Sequence, residues 1–409
     1  MVSLLKNHFD AIIIGGGIAG ASVAYSLSKR KIKTLLLERR EDLALEASGN
    51  PTGLVYPQLT KHLSTEGTFS LQAFRYLLKE LQRLCEDVKG FDRSLTSSGV
   101  FLLPKGQEEK DRYLGSIQAY QLDSEELEFV FDSYSGKEGF WFKNALALPP
   151  RSLTEAFVRM ANPFTEIRYY QNFRKVSFQE EIHVSTETDT FRAKLLFLCH
   201  ANSFLDFPET NWIPIRKVRG QLIWLPRSEE LKSLPHSYLF GDYLTRDIGH
   251  GSVLGASFDE YKMDESARDD ESISFITEAK KALPPLQNFF TRLTENGISN
   301  LKTRVSFRSQ SKDRRPIFGR LPNFSLFETN LPSKPSASFS QSPSVPYFEN
   351  AFLLGALGSR GLTHALLASE VIVRQALGEE NLLQPLESSE FNPERFLLRN
   401  WKRGIQVHR

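Results

Sequence analysis

The chain has 409 residues, 40% of them hydrophobic and 24% charged, which excludes a wholly disordered, collagen-like or coiled-coil chain and points to two or three domains or two interleaved ones. Lys plus Arg (51) against Asp plus Glu (49) leaves a formal charge of +2, so a nucleic-acid partner would have to be held by a local patch. Cys85 and Cys199 stand far apart without metal-ligand spacing, which predicts neither a disulfide framework nor a zinc site, in a reducing compartment. No apolar run reaches the roughly 18 to 20 residues of a membrane span, and MVSLLKNHFD lacks a signal peptide's apolar stretch and cleavage site. A cytoplasmic protein with no metal and no membrane contact is the expectation.

Residues 10 to 42, DAIIIGGGIAGASVAYSLSKRKIKTLLLERRED, open with a short buried strand from Asp10 to Ile14. Glycines follow, then an apolar-periodic helix from Ile18 to Leu27, then a second strand from Thr34 to Leu37 closed by Glu38. Parallel strands joined this way need a right-handed crossover. VSFQEEIHVSTET (176 to 188) alternates like an exposed antiparallel ribbon, whereas KLLFLCHAN (194 to 202) is a near-continuous apolar run suited to a buried parallel strand. Short strands separated by turn residues fill 213 to 260. AFLLGAL (351 to 357) restores strand character, and LTHALLASEVIVRQAL continues as a helix to Gly378.

These pieces predict an α/β protein, with a Rossmann-like nucleotide-binding domain interleaved with a mostly antiparallel β substrate domain. The first is expected at 1–92, 150–212 and 303–390, the second at 93–149 and 213–302. A Ser/Pro-rich surface loop at 323–346 and a basic C-terminal tail at 391–409 complete the division.

Gly15-x-Gly17-x-x-Gly20 lies directly between a strand and a helix. The first glycine allows the tight turn, the second lets backbone approach a pyrophosphate, and the third lets helix and strand pack closely, with Ile18 and Ala19 opening the helix whose N-terminus favours negative charge. Glu38, eighteen residues after Gly20, stands where a carboxylate accepts hydrogen bonds from an adenosine ribose, and Arg39 follows it. A second cluster, Gly355-Ala356-Leu357-Gly358-Ser359-Arg360-Gly361, again joins a strand to a helix. A single-nucleotide dehydrogenase has no task for it. An extended FAD does, because backbone N–H groups and a helix dipole there can face the pyrimidine edge where negative charge gathers on reduction.

The fingerprint at 10–42, EASGNPTGLVYPQL (46 to 59), IPIRKVRGQL (213 to 222), LGASFD (254 to 259), RVSFRSQSKDRRPIFG (304 to 319) and LGSRGLTHALLASE (357 to 370) resemble, in order, the segments of the D-amino-acid-oxidase-like flavoproteins. ASGN followed by GLVYPQL, with LGSRGL near the end, is most similar to the FAD-dependent half of the bifunctional enzymes that make 5-methylaminomethyl-2-thiouridine at the tRNA wobble position. The resemblance implies an extended, non-covalent FAD. It implies cofactor contacts from Ala47, Ser48, Gly49 and Asn50, from Val176, from Cys199, His200 and Ala201, and from Gly358, Ser359, Arg360, Gly361 and Leu362. Its implied reaction is oxidative removal of a carboxymethyl group from the wobble uridine, giving the 5-aminomethyl form and glyoxylate. With no second module before residue 10, methylation is expected of a separate methyltransferase acting downstream.

Similar amine-oxidising enzymes hold a glycine-like carboxylate with arginines, which assigns Arg308, in R-x-x-x-x-D-x-x-P, and Arg360 to substrate. Where the family has a P-Q-G-G-W-type segment, this chain has Lys143-Asn144-Ala145-Leu146-Ala147, and Trp141 is the residue left to fill that space. Two basic clusters could meet tRNA phosphates: Lys302, Arg304, Arg308, Lys312, Arg314, Arg315 and Arg320 around Asp313, and Arg395, Arg399, Lys402, Arg403 and Arg409 around Trp401, an aromatic available for stacking. Two ordinary solvated faces explain the same residues. An oxidase of a small free amine, or a non-catalytic FAD-containing RNA-binding protein, would carry the same motifs.

Overall fold

The structure, a computed structural model, describes residues 7–87, 97–247, 249, 251–330, 343–384 and 388–405. The chain begins β1 (His8–Ile14), α1 (Ile18–Ser28), β2 (Thr34–Leu37), β3 (Gly53–Val55), α2 (Thr65–Asp87), β4 (Ser97–Leu102), α3 (Gln107–Ala119), β5 (Glu128–Asp132), β6 (Lys137–Leu148) and α4 (Pro150–Ala161). It continues β7 (Thr165–Arg168), β8 (Phe173–Phe178), β9 (Ile182–Thr186), β10 (Thr190–Leu198), β11 (Ile215–Leu225), α5 (Glu229–Lys232), β12 (Ser237–Leu239), β13 (Tyr243–Leu244) and β14 (Ser252–Gly255). The last stretch is α6 (Asp269–Ala282), α7 (Gln287–Glu295), β15 (Lys302–Ser311), β16 (Ile317–Pro322), α8 (Phe324–Thr329), β17 (Tyr347–Gly355), α9 (Gly361–Leu377) and α10 (Glu394–Lys402).

One unit gathers Met1–Leu45, Thr154–Lys217 and Arg308–Arg409. Its sheet runs β16-β17-β10-β1-β2-β7, and every neighbouring pair from β17 to β7 is parallel. Such strands are covered on both faces, which is why Ile12, Ile13, Leu35, Leu36, Leu196 and Phe197 are all fully buried. β16 forms the antiparallel edge, and the β8–β9 hairpin, attached to β10 through β9, carries the alternation read at 176–188. α1 packs against α9, where the Ser26 and Ser369 hydroxyls meet at 3.1 Å. From β1 the chain moves outward to β2 and β7 on one side and returns through β10 and β17 on the other. The carboxyl end of β1 is therefore the switch point at which an open parallel sheet leaves a crevice.

The other unit, Glu46–Leu153 with Val218–Phe307, is built on the order β15-β11-β14-β13-β12-β4-β6-β3, with β5 on β6. One face is covered by α6 and α7, whose Phe275, Ile276 and Phe290 pack with Ile223, Tyr238 and Leu254. Lys143–Ala147 lies in the interior of β6, with Ala145 and Ala147 fully buried, so small residues here serve a sheet core.

Several expected boundaries change: 150–153 and 303–307 fall in the second unit and 213–217 in the first, and three changes are larger. The segment from Glu46 to 92 is expected in the nucleotide-binding domain, but β3 pairs antiparallel with β6 and draws the chain from Glu46 onward into the second unit. The surface loop expected at 323–346 begins as α8, capped by the Asn323 side chain accepting from the Leu326 amide at 3.1 Å. Phe324 and Phe327, one turn apart, are buried, and Phe324 stacks on Trp212. Within that stretch, 331–342 lie outside the described residues. The basic tail is a helix over most of its described length: α10 buries Arg395, Phe396, Leu397 and Trp401, and 406–409 lie outside the described residues. No helix among the described residues is long and apolar enough to cross a membrane.

Candidate active site

β1 delivers Gly15 to the switch point with φ +106, a conformation that L side chains rarely adopt. A Cβ there would lie 2.7 Å from the Cys199 carbonyl oxygen, because β10 runs alongside β1 and the Cys199 amide donates to the Ile14 carbonyl at 2.9 Å. A Cβ on Gly20 would lie 2.0 Å from the Gly15 carbonyl oxygen, so α1 can approach its own strand this closely only with glycine. Gly17 is the N-cap of α1 and supplies no side chain, and the first turn, with Ile18 and Ala19 buried, carries no acid. The N–H groups at this helix start thus have neither a capping side chain nor a carboxylate on the helix.

Glu38 is buried at the end of β2. The Gly16 amide donates to its Oε2 at 2.6 Å and the Arg40 amide to its Oε1 at 2.9 Å. Two backbone donors fix the carboxylate and leave further lone pairs for a ribose hydroxyl. Arg39 is exposed and donates to Ser203 Oγ at 3.3 Å.

At the end of β10 the Cys199 thiol is buried, which pushes its ionisation up and makes it a poor nucleophile. Both ring nitrogens of His200 are buried without a hydrogen-bond partner among the described residues, and the ring lies among Phe173, Phe204 and Phe207. Burial, with the nearby Arg39 charge, pushes His200 down to about 3, so it is neutral. Ala201 follows with φ +49 and opens a short 3₁₀ turn. Val176 sits mid-hairpin, buried and paired with Val184.

The second glycine cluster repeats the device. Gly358–Arg360 form a 3₁₀ turn, and Arg360 is the N-cap of α9, whose first turn starts with Gly361 and Leu362 and has neither side-chain cap nor acid. Ser359 is exposed and Arg360 half-buried. His364, one turn into α9, is pushed down to about 3 by burial and by the Arg360 charge, which leaves Arg360 the cation of this helix start. An isolated antiparallel bridge joins Gln310 of β15 to Leu357, setting the strand that carries half-buried Arg308 beside this loop.

Ala47, Ser48 and Gly49 form a 3₁₀ turn in the second unit, followed by extended Asn50. Arg304 clamps this turn, donating through Nη2 to the Glu46 carbonyl at 2.8 Å and through Nε to Asn50 Oδ1 at 3.2 Å. Its sequence reading as part of a phosphate-binding cluster is corrected: the guanidinium is partly buried and serves the segment expected to meet the cofactor. Basicity alone did not distinguish the two roles.

Other members of the basic clusters are also tied into the fold. Asp313 accepts from Arg395 Nε and Nη2, both at 3.0 Å, and from Arg399 Nη1 at 2.5 Å. Burial opposes ionisation of Asp313, but these guanidiniums hold its carboxyl well below the usual carboxylate range. Arg315 pairs with Glu390, Arg320 lies over the Tyr347 ring, and Lys302 over Trp224. Trp401, expected to be available for stacking, is only 9% exposed. Lys312, Arg314, Lys402 and Arg403 remain exposed. Among the described residues no group of three or more His, Cys, Asp or Glu could hold a metal ion.

A doubly wound sheet with two uncapped helix starts, one at each end of the chain, defines a Rossmann-like dinucleotide-binding oxidoreductase. The chain belongs to the FAD dependent oxidoreductase family, whose profile matches residues 10–375. It is 28% identical over 411 residues to the tRNA 5-methylaminomethyl-2-thiouridine biosynthesis bifunctional protein MnmC of Leptospira borgpetersenii, covering 95% of this chain and 60% of that protein. The bifunctional protein of the same name from Pseudomonas entomophila is 28% identical over 417 residues, with 98% and 61% covered. The chain thus spans about 60% of the length of these curated relatives. Among solved structures it is similar to glycine oxidase from Geobacillus kaustophilus (TM-score 0.72, 14% identity, 93% of this chain and 98% of that one). It is similar also to iminodiacetate oxidase from Chelativorans sp. BNC1 (TM-score 0.72, 17% identity, 94% and 100%).

The residues present fit the cofactor. The close approach of Gly15 to Cys199, the uncapped N-terminus of α1 and the amide-anchored Glu38 suit a pyrophosphate followed by a ribose. The N-terminus of α9 suits an electron-rich ring edge.

Proposed function

We propose that the protein, acting on a CH–NH donor, removes the carboxymethyl group from 5-carboxymethylaminomethyl(-2-thio)uridine at the wobble position of tRNA. The secondary amine R–NH–CH₂–COO⁻ and water become R–NH₂ and glyoxylate, releasing two electrons and two protons. FAD, when bound, supplies the two-electron acceptor for the C–H bond beside nitrogen.

Arg308 grips the substrate carboxylate with two parallel hydrogen bonds, and Arg360 adds positive potential at the same loop. Holding the carboxylate fixes which C–H bond is presented, so orientation supplies much of the rate. No general base is assigned. Cys199, buried as a thiol, offers no attachment point, and the FAD is read as non-covalent.

The observation carrying this reading is the Gln310–Leu357 bridge, which ties the Arg308 strand to the loop opening α9. The tRNA half rests on the relatives named for tRNA biosynthesis. Anaerobic mixing of the FAD-loaded protein with tRNA bearing the carboxymethylaminomethyl group should bleach the flavin and release glyoxylate, and free glycine should not. Bleaching by free glycine alone would replace this reading with a small-amine oxidase, and bleaching by neither with a non-catalytic RNA-binding flavoprotein.

A further inference from the structure

β15 alternates its side chains, so Arg308 and Gln310 project from the same face of the strand, one step apart. Gln310 is the residue bridged to Leu357, and its side chain lies over Gly358, whose φ is +55. A Cβ on Gly358 would lie 3.2 Å from Gln310 Nε2 and 3.8 Å from Cδ, so a larger residue there would press on the carboxamide. The carboxamide is half-buried and makes no hydrogen bond within the described residues. Two donors and an acceptor are thus unused beside a helix start that is itself uncapped.

We propose that Gln310 is a positioning residue for the flavin: its backbone bridge to Leu357 sets the strand beside the loop, and its carboxamide, lying over Gly358, donates a hydrogen bond to the pyrimidine edge of bound FAD. The assignment rests on the reading that the second glycine cluster faces that edge. Its chemistry follows from charge. Reduction gathers negative charge on the pyrimidine ring, so a donor there stabilises the reduced form and raises the midpoint potential. A neutral amide does this without adding a second charge beside Arg360. It also separates Arg308, which binds an anionic substrate group, from the flavin contact, although both sit on one strand.

The test compares Gln310→Glu and Gln310→Met in the FAD-loaded full chain. Both keep the length of the side chain, but the first places a carboxylate where a donor was and the second removes hydrogen bonding without adding charge. The two-electron midpoint potential, measured by anaerobic dye equilibration at saturating FAD, should fall in both. The fall should be larger in Gln310→Glu, by at least tenfold in the oxidised-to-reduced ratio, about 30 mV for a two-electron couple. Sulfite addition to the flavin should weaken in the same order. An unchanged potential in Gln310→Glu, or equal falls in both variants, overturns the proposal, because a merely structural disturbance would not separate charge from shape. Arg360→Glu serves as the control. If it lowers the potential while Gln310→Glu does not, only the assignment of Gln310 fails. If neither moves it, the placing of the pyrimidine edge at this cluster fails as well.

Discussion

The guanidinium of Arg395 closes on the carboxylate of Asp313 through two parallel hydrogen bonds, both 3.0 Å, spanning 82 residues of sequence. Arg395 is 5% exposed and Asp313 keeps some solvent. Asp313→Asn leaves Arg395 buried without its counter-charge and should cost roughly 2 to 4 kcal/mol, read as a lower thermal midpoint. The sign with pH follows from the depressed carboxyl: its folded pKa lies below the unfolded value, so its stabilisation is complete above about pH 4 to 5 and is lost as pH falls through the folded value. Asp313→Asn should flatten that acid limb in a series of melts from neutral to acid pH. An unchanged limb would assign the acid sensitivity to other carboxylates.

The glycine turn gives a second test. Gly20→Val places a branched side chain where even a Cβ would lie 2.0 Å from the Gly15 carbonyl oxygen, forcing α1 away from β1. FAD retention should fall by more than about tenfold, the equivalent of ~1.4 kcal/mol. The unaltered protein should be yellow and release its flavin into the supernatant on acid precipitation. Flavin remaining with the pellet would contradict a non-covalent cofactor.

Arg308→Ala should leave FAD bound and slow flavin reduction by modified tRNA at least about tenfold, since a charge-assisted bidentate contact contributes about 1.5 to 3 kcal/mol. Arg308→Lys should restore little, because an ammonium lacks the planar fork. Stopped-flow reduction at matched FAD occupancy decides it. Rates equal to the unaltered protein in both variants would return Arg308 to a surface charge.

For tRNA, the exposed cations Lys312, Arg314, Lys402 and Arg403 are the phosphate candidates. Neutralising all four as Gln should flatten the slope of log affinity against log salt by up to about three to four, close to one for each cation that meets a phosphate. Filter binding at several salt concentrations measures it. A slope equal to that of the unaltered protein would mean that tRNA binds elsewhere.

The strand–turn–helix that carries the expected cofactor residues was legible because its requirements are local. Gly15, Gly17, Gly20 and Glu38 follow from the geometry of one strand, one turn and one helix, and spacing encodes that geometry. The β8–β9 hairpin announced itself by alternation and β10 by continuous burial. The basic residues were not legible in the same way. Whether Arg395 binds phosphate or Asp313 depends on a partner far away in sequence, and Arg304 looked like a surface charge until the carbonyl of Glu46 was beside it. α8 was hidden because Ser and Pro around it dominated the composition, while its two phenylalanines, one turn apart, were the residues that mattered. The boundary at Glu46 was missed because β3 is only three residues long and its allegiance is decided by β6.

The position of β10 between β1 and β17 has a consequence for how the protein is made. During synthesis β1 gains its neighbour β2 at once, but waits for residues 190–198 to meet β10 and for residues 347–355 before β17 can close the far side. Of the two units, the one that contains β1 is therefore the last to be completed, because its final segment follows the whole of the other. Until then β1 and α1 lack the later strands and helix that bury them, while the uninterrupted stretch Glu46–Leu153 of the other unit has already been made.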